Sequence, residues 1–210
     1  TSQSLTGISI LVARPAHQSA FLAEGIRAMD GNPILFPVLE ITDVTDLSSL
    51  IALINRLDEF DWAIFVSPNA VNKAMPLINE RRSLPVQLKF AAVGKGSADT
   101  LKQHGIEQVL IPTEHFDSEA LLKREELKNM TGQRVVIFRG NGGRQLMGET
   151  LTQRGAIVEY AECYQRGKPN IDTAPLLAAW SQGQIQALLI TSSEGLHNSF
   201  HIIGKLAQPL

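Results

Sequence analysis

"RVVIFRGNGGRQLMGETL", residues 134–151, joins an apolar run to a glycine-rich turn and then to a helix-patterned stretch. An unbroken apolar run bounded by turn residues reads as a strand buried on both faces, as in parallel sheets. Gly140 and Gly142 come close to the G-x-G-x-x-G fingerprint of dinucleotide sites, but the sixth position is Gln145. Arg139 and Arg144 stand on either side of the turn, and a guanidinium grips carboxylate or phosphate in bidentate fashion. A dinucleotide site also needs an acidic residue about 20 positions on, to hold a ribose. Glu159 and Glu162 lie near that distance, so this test is ambiguous. The missing third glycine and the two arginines weigh against a dinucleotide. An arginine near the positive end of a helix is locally unfavourable, which favours a functional reason for Arg144.

The same grammar recurs outward along the chain. "ISILVA" (8–13) leads to a helix reaching about Asp30, and the apolar "PILFPVLEI" follows. "WAIFVS" (62–67), "KFAAVG" (89–94) and "IQALLIT" (185–191) each run into a helical stretch. Apolar strands alternating with helices predict an α/β protein with parallel sheets covered on both faces. Arg14 after "SILVA" matches Arg139 after "RVVIF", and Ser67 matches Ser192, both at an offset of 125. One offset shared by two pairs predicts two similar doubly wound parallel-sheet domains. It also places a counterpart of "FAAVGKGSADTL" (90–101) past Leu210, so the expectation is that the protein continues and that this sequence lacks a C-terminal tail.

The chain has 210 residues, 44% hydrophobic and 19% charged, with a formal net charge of -2. It has no basic excess of the kind that general nucleic-acid or acidic-membrane binding requires. An anionic ligand must be held by local donors. Cys163 is the only cysteine, which rules out a disulfide framework and fits a reducing compartment. No basic-then-apolar leader and no run of about 18 apolar residues is present, so a soluble cytoplasmic protein is expected.

The loops "RPAHQS" (14–19), "SPNA" (67–70), "GKGS" (94–97), "RGNGGR" (139–144) and "TSSEG" (191–195) follow strands and open helices. Free N–H groups and the helix dipole favour anions there. Simple capping accounts for any one of them: Ser67 as N-cap with Pro68 at N1, Ser97 as N-cap, Asp117 or Ser118 likewise. Several such loops from both halves favour a shared ligand. Strand alternation puts Val158, Tyr160, Glu162 and Tyr164 on one face. Tyr164 reads either as a packing residue with a wet hydroxyl or as a phenol acting as hydrogen-bond donor or weak acid. His197 and His201 stand one helical turn apart without a third ligand and read as a surface pair. No nucleophile elbow or Walker loop is present.

Taken in order, "ILVARPAHQSAFLAEGIRAMDGNPILFPVLEI", "FDWAIFVSPNAV", "FAAVGKGSADTLKQHG", "VVIFRGNGGRQLMGETLTQRGAIVEYAECYQR" and "ALLITSSEGLHNSF" resemble the uroporphyrinogen-III synthase family. The resemblance implies two α/β domains joined by two extended crossing segments, here 37–41 and 162–166, with the active site in the cleft. The first domain would be 1–37 plus 167–210 and the second 38–166. The implied reaction cyclises hydroxymethylbilane with loss of water and inversion of ring D, without metal or organic cofactor. Tyr164 aligns with the family tyrosine near the leaving hydroxyl. Arg14, Ser67, Asn69, Ser97, Arg139, Gly140, Arg144, Ser192 and Ser193 match substrate-binding positions, some of which shape loops instead. The implied protein is a cytoplasmic monomer that takes a small tetrapyrrole and at most meets hydroxymethylbilane synthase transiently. It has no nucleic-acid or membrane partner. The alternatives are a non-catalytic two-domain binder of an anionic small molecule and a nucleotide-dependent α/β enzyme using 138–151.

Overall fold

The computed structural model describes residues 4–14, 16–37, 39–167, 172–191, 195–196 and 198–200. Two compact units are present, one from residues 1–41 and 166–210 and the other from 42–165. The chain passes from one to the other inside β3 (Glu40–Asp43) and again inside β8 (Ile157–Gly167).

In the first unit β1 (Ser9–Ala13) pairs in parallel with β2 (Asn32–Leu35) and with β9 (Ala187–Ile190), giving the order β2-β1-β9. α1 (Ala16–Ala28) packs on β1 and β2. Asp30 leaves this helix with φ 63°, and the next residue is Gly31. Leu11, Ala13, Phe36 and Leu176 form a small core, the last contributed by α7 (Ala174–Ser181). Cover is thinner than the expected sheet buried on both faces: Ala187 and Leu188 of β9 are exposed.

The second unit meets the expectation in five parallel strands. Its six-stranded sheet has the order β3-β8-β7-β4-β5-β6. β4 (Trp62–Phe65), β5 (Lys89–Ala92), β6 (Val109–Leu110), β7 (Arg134–Gly140) and β8 pair in parallel. One face carries Trp62, Ile64, Val135 and Ile137, packed with residues of α5 (Ser118–Leu122) and α6 (Leu146–Gln153). The alternate side chains leave by the other face, where Phe65 and Phe138 stack with centroids 4.6 Å apart. α3 (Pro68–Arg81) covers that side, in contact with β4 and β7 and flanked by α2 (Ser48–Asn55) and α4 (Lys95–Gln103).

The 125-residue offset holds in three dimensions. It carries β1 into β7, β2 onto the start of β8 and β4 onto β9. The order β2-β1-β9 therefore repeats the order β8-β7-β4.

One local expectation needs correction. Ser97 is not an N-cap: α4 begins at Lys95 with Gly94 as its cap, so Ser97 lies within the first turn and is buried. The second glycine of "GKG" is thus inside the helix, and the turn uses only the first. The glycine-rich turn after β7, by contrast, leads from strand to helix as expected. Residues 141–145 intervene before Leu146, with Gly142 and Gly143 at φ 67° and 93°. Two successive left-handed glycines delay helix entry.

Candidate active site

The site is best built from Ser67. It caps α3 as its sequence requires, in extended conformation, accepting the Ala70 N–H at 3.2 Å, with Pro68 at the first helical position. The same hydroxyl meets the Tyr164 Oη at 2.9 Å. Tyr164 is only 2% exposed, whereas Ser67 is half-buried. The pair thus has a buried end and an outer end. Asn69, also half-buried, follows in the first turn of α3.

Tyr164 reaches Ser67 because strand alternation fails just before it. Arg139 of β7 pairs with Glu162, but Gly140 pairs with Tyr164, leaving Cys163 as an extra residue in β8. Such a bulge shifts the alternation by one. Tyr164 therefore falls on the face of Ala161 and Phe138, while Val158, Tyr160 and Glu162 stay on the other. This corrects the expectation that all four share a face, and no residue type at 163 announces a bulge in parallel strands. Cys163 itself is buried, which pushes its thiol up to about 12.

The arginines divide sharply. Arg139 is 5% exposed; its Nε donates to the Gly140 carbonyl at 3.2 Å, its Nη2 donates to that of Gly142, and its guanidinium lies 4.5 Å from the Tyr160 ring centroid. It makes no ion pair among the described residues. Arg144 is largely exposed and pairs with Glu119, whose carboxyl is held below its ordinary value by that hydrogen bond. In the first unit, Arg14 follows β1, its carbonyl accepts from Ser19 Oγ at 3.3 Å, and its Nε is buried without a hydrogen-bond partner. Sequence reading gave these three residues one role; the structure gives them three environments.

Ser192, Ser193, His197 and His201 lie outside the described residues. Among the described residues no cluster of three or more His, Cys, Asp or Glu could hold a metal ion. No helix there is long and apolar enough to cross a membrane.

Two roles escaped the sequence. Gly140 lies beneath the Tyr164 ring, where a Cβ would stand 2.7 Å from Cζ, and Gly148 of α6 lies beneath Tyr160, where a Cβ would stand 2.7 Å from its Cζ. Both glycines are visible in the sequence, but their partners are set by the fold.

A family model described as uroporphyrinogen-III synthase HemD matches residues 20–210. The chain belongs to the uroporphyrinogen-III synthase family. It is 36% identical over 190 residues to the uroporphyrinogen-III synthase of Salmonella typhimurium (strain LT2), covering 90% of this chain and 77% of that one. It is 34% identical over 197 residues to the Escherichia coli (strain K12) enzyme, covering 93% and 80%. A solved mutant uroporphyrinogen III synthase from the extremely thermophilic bacterium Thermus thermophilus superposes with TM-score 0.69 at 18% identity, over 92% of this chain and 76% of that one. That likeness speaks for the fold; the sequence relatives carry the family. Membership of this family disfavours the nucleotide reading of the turn.

Proposed function

We propose that the chain cyclises hydroxymethylbilane to uroporphyrinogen III, with the Ser67–Tyr164 hydroxyl pair assisting departure of the substrate hydroxyl. Family membership supports the reaction, and the 2.9 Å contact between the two hydroxyls is the observation that carries the assignment. Either hydroxyl of the pair can donate. In the arrangement we propose, the Tyr164 O–H donates to Ser67 Oγ beside the Ala70 N–H, and both acceptor positions of that oxygen are filled. The Ser67 proton is then free to point outward, and successive hydrogen bonds polarise it. It also sits at the positive end of a helix of 14 residues. A donor so placed stabilises negative charge developing on the leaving oxygen. The C–O bond breaks as the adjacent pyrrole nitrogen pushes in its electron pair. The oxygen leaves with the bonding electrons and, combined with the proton lost from that pyrrole N–H, departs as water. The electrophilic azafulvene remains for attack by ring D.

The bilane carries many carboxylates. Arg14, with its orphaned Nε, and Arg144, on an exposed loop, are cations suited to them. Asn69, Ser97, Ser192 and Ser193 complete the proposed set, Ser97 by packing within α4. Arg139 and Gly140 enter through the position of Tyr164. The two units correspond to two domains, and the protein is read as a cytoplasmic monomer; a transient encounter with hydroxymethylbilane synthase would deliver the unstable substrate.

The test is a coupled assay in which hydroxymethylbilane is generated in situ and the oxidised porphyrin isomers are separated. Predominant isomer III supports the proposal. Isomer I alone, the product of spontaneous closure, would leave a binder of anionic small molecules.

A further inference from the structure

We infer that the glycine-rich turn 139–143 is the seat of the Tyr164 phenol, with Gly140 and Arg139 as positioning residues, and not a loop that grips an anion. Three contacts tie the turn to that tyrosine, and a fourth feature braces the turn itself. The Asn141 N–H donates to the Tyr164 carbonyl at 2.9 Å. Gly140 pairs with Tyr164 across the strands, immediately after the register shift. The ring rests on the Gly140 Cα, where a Cβ would come within 2.7 Å of Cζ and 2.9 Å of Cδ2. Arg139 holds the turn from behind by donating to the carbonyls of Gly140 and Gly142.

The glycines of the turn divide by cause. Gly142 and Gly143 both have positive φ, and at Gly142 the place of a Cβ is open space, so they serve backbone conformation. Gly140 is not in the left-handed region, so alanine meets no backbone strain there. Its missing side chain is needed only because the phenol occupies that space. Arg139 is buried, and its Nε and Nη2 donate to carbonyls of the turn itself, so these two donors serve the turn. The resemblance to G-x-G-x-x-G thus has a local explanation: the glycines fit a ring and a reversal, and no phosphate is required.

This inference rests on the proposed role of the Ser67–Tyr164 pair, and the test separates the two. Gly140→Ala forces the ring away from Ser67, and displacement of a reacting group by about 1 Å costs about a hundredfold in rate. Steady-state kinetics in the coupled assay would be measured for Gly140→Ala, Tyr164→Phe and the double variant. The expected result is a kcat for Gly140→Ala at least about tenfold below wild type with KM within about twofold, the signature of an interaction lost in the transition state. The double variant should be no slower than Tyr164→Phe alone, because the two changes act through one hydroxyl. Losses that multiply would overturn the inference, as would full kcat in Gly140→Ala beside an impaired Tyr164→Phe. A Tyr164→Phe enzyme at wild-type rate would instead remove the role of the hydroxyl pair. Should Gly140→Ala not fold, Arg139→Lys replaces it in the same cycle. It keeps the charge and loses the fork that spans two carbonyls, and the same non-additivity with Tyr164→Phe is expected.

Discussion

β8 carries two tyrosines four residues apart, and the fold uses them in opposite ways. Tyr160 lies on the α5–α6 side, over Gly148 and under the Arg139 guanidinium, among residues of the larger core cluster. Tyr164 lies on the α3 side, over Gly140, with its hydroxyl on the cap of a helix. Each ring sits on a glycine, so packing alone does not separate them. What separates them is the extra residue between, which turns the second ring through the sheet and toward a polar partner. A tyrosine becomes a candidate for chemistry here through register.

Several variants would break or sharpen that contrast. The largest effect is expected at Ser67. Ser67→Ala removes the donor proposed to face the leaving oxygen, and loss of one such donor costs about a hundredfold in kcat. The same change removes an N-cap and about 1 kcal/mol of stability. Ser67→Thr keeps both functions, so turnover within a few-fold of wild type would tie the loss to the hydroxyl. Next comes Gly148→Ala. A Cβ there overlaps the Tyr160 ring, and overpacking of this kind destabilises by about 1–3 kcal/mol. Denaturant unfolding should show that loss while kcat stays near wild type, the reverse of Gly140→Ala.

A smaller effect is expected at the other end of β8. Glu159 accepts from Arg56 at 2.8 Å, and this bond with the nearby Arg134 holds its carboxyl below the ordinary 4.5. Its contribution to stability is therefore present above pH 4.5 and lost as pH falls through the lowered folded value. Glu159→Gln should lower Tm modestly at pH 7, and the gap to wild type should close as acid is added. A gap constant with pH would place the effect elsewhere. Cys163, the bulge residue, comes last. Its buried thiol, raised to about 12, should resist maleimide at pH 8 in the native protein and react in full on unfolding. Rapid native labelling would mean that the bulge opens.

Much of this was legible in the sequence for physical reasons. The run Val135–Phe138 is apolar on both faces because both faces are covered, and the Ser67–Pro68 pair announces a helix start that the structure builds. The offset of 125 surfaced because strands at β1 and β7, and at β4 and β9, solve one packing problem with similar residues. The bulge at Cys163 was not legible, since alternation in "IVEYAECYQR" runs smoothly through it. The partners of Gly140 and Gly148 were not legible either, because a missing side chain does not name what fills its space. Arg139 and Arg144 looked alike in sequence. One is buried over a ring and the other pairs with Glu119 on an exposed loop, a difference that only tertiary packing makes.

The most direct test compares Tyr164→Phe with Tyr160→Phe in the isomer assay, under conditions that leave each protein folded. The account predicts that Tyr164→Phe forms isomer III at least about tenfold more slowly, so that spontaneous isomer I accumulates, while Tyr160→Phe stays within about twofold of wild type. Equal rates and equal isomer ratios in the two variants would contradict it.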